Sequence, residues 1–248
     1  MDKIIKTFLT LSLFFLIWYL VVAALQIPTY ILPSPIDVFE SLVLNRLAIF
    51  INSFITLKEA VLGFFIANLI SISIAIGIAF NKNIENTIMP FAIILKTIPI
   101  IAITPLLVVW FGPGEYSKIA TAALICFFPS LVNVLRGIKS LDRDLVEFFK
   151  AYSASKLQLT RMLIFPSILP YLFAALKVSS SLAVVGALVG EFIGSNKGLG
   201  FLIISNYYTL NMPYVFASII ISSLIGIVFY YTIHLFEKRI VTWTATID

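Results

Sequence analysis

Few side chains in this sequence could carry chemistry, and their number excludes most kinds. His234 is the only histidine and Cys126 the only cysteine. A metal centre, an internal disulfide or a Ser–His pair has too few members to assemble. Cys126 reads as a small apolar residue inside a helix. No G-x-x-x-x-G-K-[ST] segment is present to cradle a phosphate. What remains is a handful of charges inside apolar runs: Lys96, Lys177 and Glu191. Charges at membrane depth tend to face the interior of a helix bundle and to carry function. Lys96 and Glu191 are therefore candidates for a path or a gate. Lys177 reads as snorkelling to a nearby interface. Glu191 lies three residues before Gly194, so a place hydrogen-bonded to the following loop is an equal reading.

The elements that must hold these charges are membrane helices. Apolar residues make up 60% of the 248 residues and charged ones 12%. Soluble domains sit near about 45–50% and about 25%. A soluble fold of this size cannot hide so much apolar surface. The composition excludes a soluble enzyme, a disordered chain and a disulfide scaffold. The fold class is all-α: a polytopic membrane protein of about six spans, each needing about 20 apolar residues. They run Thr7 to Gln26, Val61 to Phe80, Ile88 to Trp110, Lys118 to Leu135, Tyr171 to Ile193 and Tyr214 to Phe236. The first is too long for the apolar core of a signal peptide and reads as an uncleaved span.

The basic residues orient the chain. With a cytoplasmic N-terminus, eleven of the seventeen fall inside, among them Lys3, Lys82, Arg143 and Lys150. Four fall at or beyond the outer boundary: Arg46, Lys58, Lys118 and Lys197. Both termini are then cytoplasmic, and the net charge of +5 reflects topology rather than a nucleic-acid partner.

Proline and small residues mark special places. Pro28, Pro33 and Pro35 open the outer segment 27–54, which then reads as a short amphipathic helix, IDVFESLVL. Pro90, Pro99 and Pro105 predict a bent third span, either lining a pore or only aiding packing. Gly186 and Gly190 form a small-xxx-small pair in span five, expected to meet a symmetry mate or span three. Ser179 to Ser181 either pack there too or, with Ser180 at their centre, line a path.

The stretch 136–170 is the one strongly charged loop. Ser140 reads as an N-cap with acids in the first turn. Leu141, Leu145, Phe148, Phe149 and Tyr152 recur at helical spacing, with Arg143, Asp144, Glu147 and Lys150 on the other side. A second helix begins at Lys156, and Pro166 and Pro170 are expected to stop or bend the chain as it re-enters the bilayer. This helix–turn–helix suits docking into a groove on another protein; the plainer reading is an interfacial helix with no partner.

This loop resembles the EAA motif of binding-protein-dependent ABC importer permeases: Glu-Ala-Ala, three residues, Gly, nine residues, Ile-any-Leu-Pro. Glu147 takes the Glu place, Phe148 and Phe149 the Ala places, Ser153 the Gly place, and Leu163, Phe165 and Pro166 close the motif without insertion. Ala-Ala has become Phe-Phe and Gly has become Ser. Other segments are similar to the nitrate, sulfonate and taurine branch: I-L-P-S-P-I-D-V-F at 31–39, K-T-I-P-I-I-A-I-T-P-L-L-V-V-W-F-G at 96–112, and G-E-F-I-G-S-N-K-G-L-G-F-L-I at 190–203.

The resemblance implies a permease subunit, not an enzyme, that binds no cofactor while a partner uses ATP. It implies a single domain over 1–248, with a core at about 55–240 and a coupling loop at 140–170. Its partners would be ABC ATPase subunits, a periplasmic or lipid-anchored solute-binding protein, a second permease copy and the lipid bilayer. It would sit in a prokaryotic plasma membrane. Glu147, Phe148, Phe149, Ala151, Ser153, Ala154 and Pro166 would form the ATPase joint. Ser153 puts a tight turn in question, because Gly tolerates positive φ and Ser does not. Lys96, Pro99, Pro105, Ser180 and Glu191 are the path residues. Nitrate, sulfonates, taurine, bicarbonate, vitamin precursors and riboflavin stay open as cargo. The competing readings are a stand-alone secondary transporter or channel, which lacks paired intramembrane acids or a repeat, and an intramembrane enzyme, for which His234 has no evident partner.

Overall fold

The computed structural model describes residues 2–242. The side chains of Lys3, Lys82 and Lys150, counted above for orientation, lie outside what is described. All elements among the described residues are helical. In chain order they are α1 (Asp2–Ala24), α2 (Pro35–Leu44), α3 (Arg46–Phe80), α4 (Lys82–Thr97), α5 (Ile100–Phe111), α6 (Glu115–Lys139), α7 (Arg143–Ala151), α8 (Lys156–Leu159), a π-helical turn (Thr160–Ile164), α9 (Phe165–Phe192), α10 (Leu199–Tyr208) and α11 (Met212–Ile240). Among the described residues four helical rods are long and apolar enough to cross a bilayer: α3, α6, the continuous run Lys156–Phe192, and α11. The pair α4–α5 makes a fifth if counted as one broken span. The apolar part of α1 described here, Phe8–Ala24, is shorter.

Local chemistry sets several boundaries. Ser34 Oγ accepts the Asp37 N–H at 3.2 Å while Asp37 Oδ2 accepts the Ser34 N–H at 2.8 Å. This capping box, with Pro35 at the first helical position, starts α2 where the amphipathic helix was expected. α2 packs on the bundle through Val38, which is buried with Ile49, Leu199 and Tyr214. The second span also begins earlier than its apolar run. α3 has 35 residues, about 52 Å at 1.5 Å per residue. It therefore projects beyond a hydrocarbon core of about 30 Å.

The third span is not one helix. α4 and α5 meet at a bend of 105°. Pro99 lacks the N–H that would continue the ladder, and its ring restricts Ile98 to an extended backbone with ψ 126°. Pro90 and Pro105 stay inside their helices.

The interior is made of α3, α6 and α9, and it inverts a soluble core. Where the three meet, small buried residues predominate: Ala60, Ala67, Ala122, Cys126, Ala183 and Ala187, with Phe64 and Val184 the larger ones. Large apolar side chains such as Phe54, Phe65 and Leu69 face outward. Bilayer lipid supplies no hydrophobic drive between helices, so close backbone approach matters more. The glycines of span five face α6 rather than span three. A Cβ at Gly186 would stand 2.6 Å from Ala122 Cα, and one at Gly190 would stand 2.9 Å from Lys118 Cα. From the other side a Cβ at Gly63 would stand 2.6 Å from Ala122 Cβ. Ala122 is thus clamped between two glycine-bearing helices. One layer further along, Ser130 Oγ donates to Asn68 Oδ1 at 2.7 Å, and Cys126 Sγ donates to the Ser179 carbonyl at 3.2 Å.

Candidate functional site

The charged loop folds differently from its expected start. Ser140 is not the N-cap of α7; it terminates α6, with its hydroxyl donating to the Gly137 carbonyl at 2.9 Å. Asp142 starts α7, its Oδ1 accepting the Asp144 N–H at 2.9 Å. The acid is the better cap because it also faces the positive end of the helix dipole.

At the other end of α7, Ser153 adopts φ +54°. The Ala154 N–H reaches back to the Phe149 carbonyl at 3.0 Å, closing a six-residue Schellman turn. The turn that glycine would make is therefore present with serine in its place. A left-handed residue other than Gly costs roughly 1–2 kcal/mol. Ser155 then caps α8 through a box with Gln158, whose Oε1 accepts the Ser155 N–H at 2.8 Å.

Pro166 and Pro170 neither stop nor sharply bend the chain. The rod Lys156–Phe192 is continuous over 37 residues. Directly before Pro166 the ladder widens into a π turn, where the Phe165 N–H bonds the Thr160 carbonyl. A π turn redistributes the carbonyls that a proline leaves unpaired.

The two phenylalanine rings meet edge-on at 6.1 Å, centre to centre, but differ in exposure. Phe148 is 55% exposed and lies 4.7 Å, ring centre to ring centre, from Tyr152. Phe149 is half-buried. Leu145, Phe148, Tyr152, Leu157 and Met162 together present an exposed apolar surface beyond the helix ends. Ala151 and Ser153 are exposed beside it and Ala154 is half-buried in the turn. Glu147 points elsewhere. It lines a cleft of about 820 Å³ between α7 and the bundle, with Phe80, Glu85, Lys139 and Arg143. Lys139 and Glu85 pair across that cleft at 2.5 Å. Pro166 lies outside both surfaces, at the root of α9.

Of the residues assigned to a path, only Lys96 and Pro99 come together. Lys96 and Pro99 share a cavity of about 350 Å³ at the α4–α5 break, with Leu124, Phe128 and Leu182. Lys96 Nζ stands 4.8 Å above the Phe128 ring. Pro105 is exposed on α5 and does not line this cavity. Ser180 is fully buried, its hydroxyl donating to the Lys177 carbonyl at 2.8 Å. Lys177 is anchored by Glu237 at 2.7 Å.

Glu191 is also fully buried. Its Oε1 accepts the Thr56 hydroxyl at 2.6 Å and its Oε2 accepts the Gly200 N–H at 2.5 Å. Gly198 has φ +96°, and a Cβ there would collide with the Glu191 carboxylate. Of the two readings of Glu191, the structure realises the hydrogen bond to the following loop. Sequence reasoning missed its neighbours. Glu59 and Lys118 are 4% and 1% exposed. Lys118 Nζ donates to the Pro113 carbonyl, tying in the α5–α6 turn. Asn52 Oδ1 accepts the Gly198 N–H at 2.6 Å and Thr56 Oγ1 accepts the Leu199 N–H at 2.8 Å. One signal was available. Thr56, Glu59, Gly63 and Ala67 fall on one helical stripe, so the polar residues share a face with the small ones.

A sequence model of the family described as "Binding-protein-dependent transport system inner membrane component" matches residues 67–242. The formylaminopyrimidine transport permease protein ThiX of Halalkalibacterium halodurans is 35% identical over 94% of this chain and 94% of its own length. The riboflavin transport system permease protein RibX of Chloroflexus aurantiacus is 33% identical over 96% and 89%. The putative aliphatic sulfonates transport permease protein SsuC of Bacillus subtilis is 30% identical over 92% and 83%.

Proposed function

This chain belongs to the binding-protein-dependent transport system inner membrane component family, and from that premise we propose how it works as the permease of an ABC importer. It is a helical membrane protein of a family of transport permeases, not of catalytic enzymes. As a single membrane domain it pairs with a second copy, takes cargo from a solute-binding protein outside, and docks on cytoplasmic ATPase subunits through α7. The partner uses the ATP; this chain binds no cofactor. Both termini are cytoplasmic and the membrane is a prokaryotic plasma membrane. Cargo is a small anion or small organic compound, in keeping with relatives named for formylaminopyrimidine, riboflavin and aliphatic sulfonates.

The observation that carries the docking role is the apolar surface of Leu145, Phe148 and Tyr152, left uncovered outside the bundle. Exposed apolar patches beside charged residues mark protein partners. In this reading Phe148 seats in the ATPase, and Ser153 and Pro166 fix the angle at which the motion enters α9. The test is co-purification from native membranes after crosslinking. Wild type is expected to bring down an ATPase, and Glu147→Arg with Phe148→Asp is expected to lose it. An ATPase recovered equally with the variant, or with neither protein, sinks the reading.

A further inference from the structure

Lys96, Lys118 and Lys177 lie on helices of the bundle, and their surroundings differ. Lys118 is buried beside Glu59 and Glu191 and donates to the Pro113 carbonyl. Lys177 is paired with Glu237 at 2.7 Å. Lys96 is exposed at the mouth of a cavity, has no acidic partner within 4.0 Å among the described residues, and holds its ammonium 4.8 Å above the Phe128 ring. An aromatic face attracts a cation but leaves its charge uncompensated.

The place is built as a cavity. The 105° break between α4 and α5 opens a space of about 350 Å³ against α6 and α9. Apart from Lys96, the side chains around it are almost all apolar, including Ile98, Leu124, Phe127 and Leu182. The Thr97 hydroxyl is engaged by the Ile94 carbonyl at 2.8 Å. One free positive charge on an apolar wall selects a ligand with one negative charge and an apolar body. A small number of placed polar groups in an apolar pocket is the usual form of a small-molecule site.

We propose that the cavity at the α4–α5 break is a binding site for a small organic monoanion, a sulfonate or carboxylate, held by Lys96. The inference rests on the permease reading above and names a station on its path. The same anionic chemistry is offered by a phospholipid phosphate, so the test separates the two sources.

The full-length protein is placed in nanodiscs of zwitterionic lipid and treated with acetic anhydride. Acetylation of Lys96 is read by peptide mass spectrometry, with Lys197 as an internal reference. Ethanesulfonate at tenfold its half-protecting concentration is expected to slow acetylation of Lys96 by about tenfold and leave Lys197 unchanged. The neutral ethyl methyl sulfone is expected to do nothing. Thermal stabilisation by ethanesulfonate is expected in wild type and Lys96→Arg and absent in Lys96→Met. Equal protection by the sulfone, or none by ethanesulfonate, overturns the site. Protection by anionic lipid alone, with ethanesulfonate inert, assigns the cavity to a headgroup and also overturns it. The acetylation readout needs no variant, so a poorly folding Lys96→Met leaves the test intact. ATPase co-purification is followed in the same preparation. Retained co-purification without protection sinks the anion site alone; loss of both sinks the permease reading.

Discussion

The Thr56 hydroxyl donates to Glu191 Oε1 at 2.6 Å while its oxygen accepts the Leu199 N–H at 2.8 Å. One side chain therefore bridges α3, the end of α9 and the start of α10. Both partners are fully buried, so water cannot replace either bond. Thr56→Val is expected to cost about 1–3 kcal/mol, because it strands a carboxylate oxygen and an amide. Glu191→Ala strands the Gly200 N–H instead and leaves the Thr56 hydroxyl only its longer bond to the Asn52 carbonyl at 3.2 Å. Since the two share bonds, a double-mutant cycle on thermal stability should show coupling of about 0.5–3 kcal/mol. Additive effects would show that the bridge contributes nothing.

The clamp on Ala122 predicts a failed rescue. Gly186→Ala puts a methyl against Ala122 Cα, a backbone atom, and is expected to destabilise by about 1–3 kcal/mol. Ala122→Gly removes only the Cβ of that residue, so it cannot relieve the clash. Thermal melts of the single and double variants decide this; recovery in the double would mean that α6 and α9 part easily.

Phe148 and Phe149 are neighbours with opposite expectations. Phe148→Asp alters an exposed ring, so stability should stay within about 0.5 kcal/mol while co-purification of the ATPase is lost. Phe149→Asp places a charge at a half-buried site and should lower thermal stability by about 1–3 kcal/mol. Equal destabilisation by both would contradict the orientation of α7.

Ser153 holds a left-handed turn at a cost that glycine avoids. Ser153→Gly is expected to stabilise the turn by up to about 1 kcal/mol, part of the gain being offset by the freer unfolded chain. Hydrogen exchange at the Ala154 amide should slow. Ser153→Val, β-branched at positive φ, should speed it and weaken ATPase co-purification.

Much of this fold was legible in the sequence because apolar runs and prolines act locally. The amphipathic helix after Pro35, the small-residue pair and the amphipathic loop all rest on neighbours within four residues. The bend at Pro99 was expected, but its size was not, because a proline sets where a ladder breaks and packing sets how far. Pro166 illustrates the reverse: the local rule predicts a stop, and a single π turn absorbs it. The partner of Gly186 could not be read, since a small-residue motif states that a helix comes close without saying which one. Glu59 and Lys118 were hidden for a different reason. In a span that is apolar all round, amphipathicity no longer marks the interior, and the face must be found from small and polar residues instead.

The π turn before Pro166 leaves α8 and α9 as one rod from Leu157 to Glu191. At 1.5 Å per residue that rod is about 52 Å long. Leu157, on the exposed apolar surface, and Glu191, in the knot with Thr56, are opposite ends of a single lever. A tilt imposed at one end must either swing the other or be taken up where the ladder is widened. That turn lies near the Leu157 end, which leaves the long arm pointing at the knot. If a partner docks on the exposed apolar surface as proposed, a small displacement there would become a larger sideways stroke across the width of the membrane.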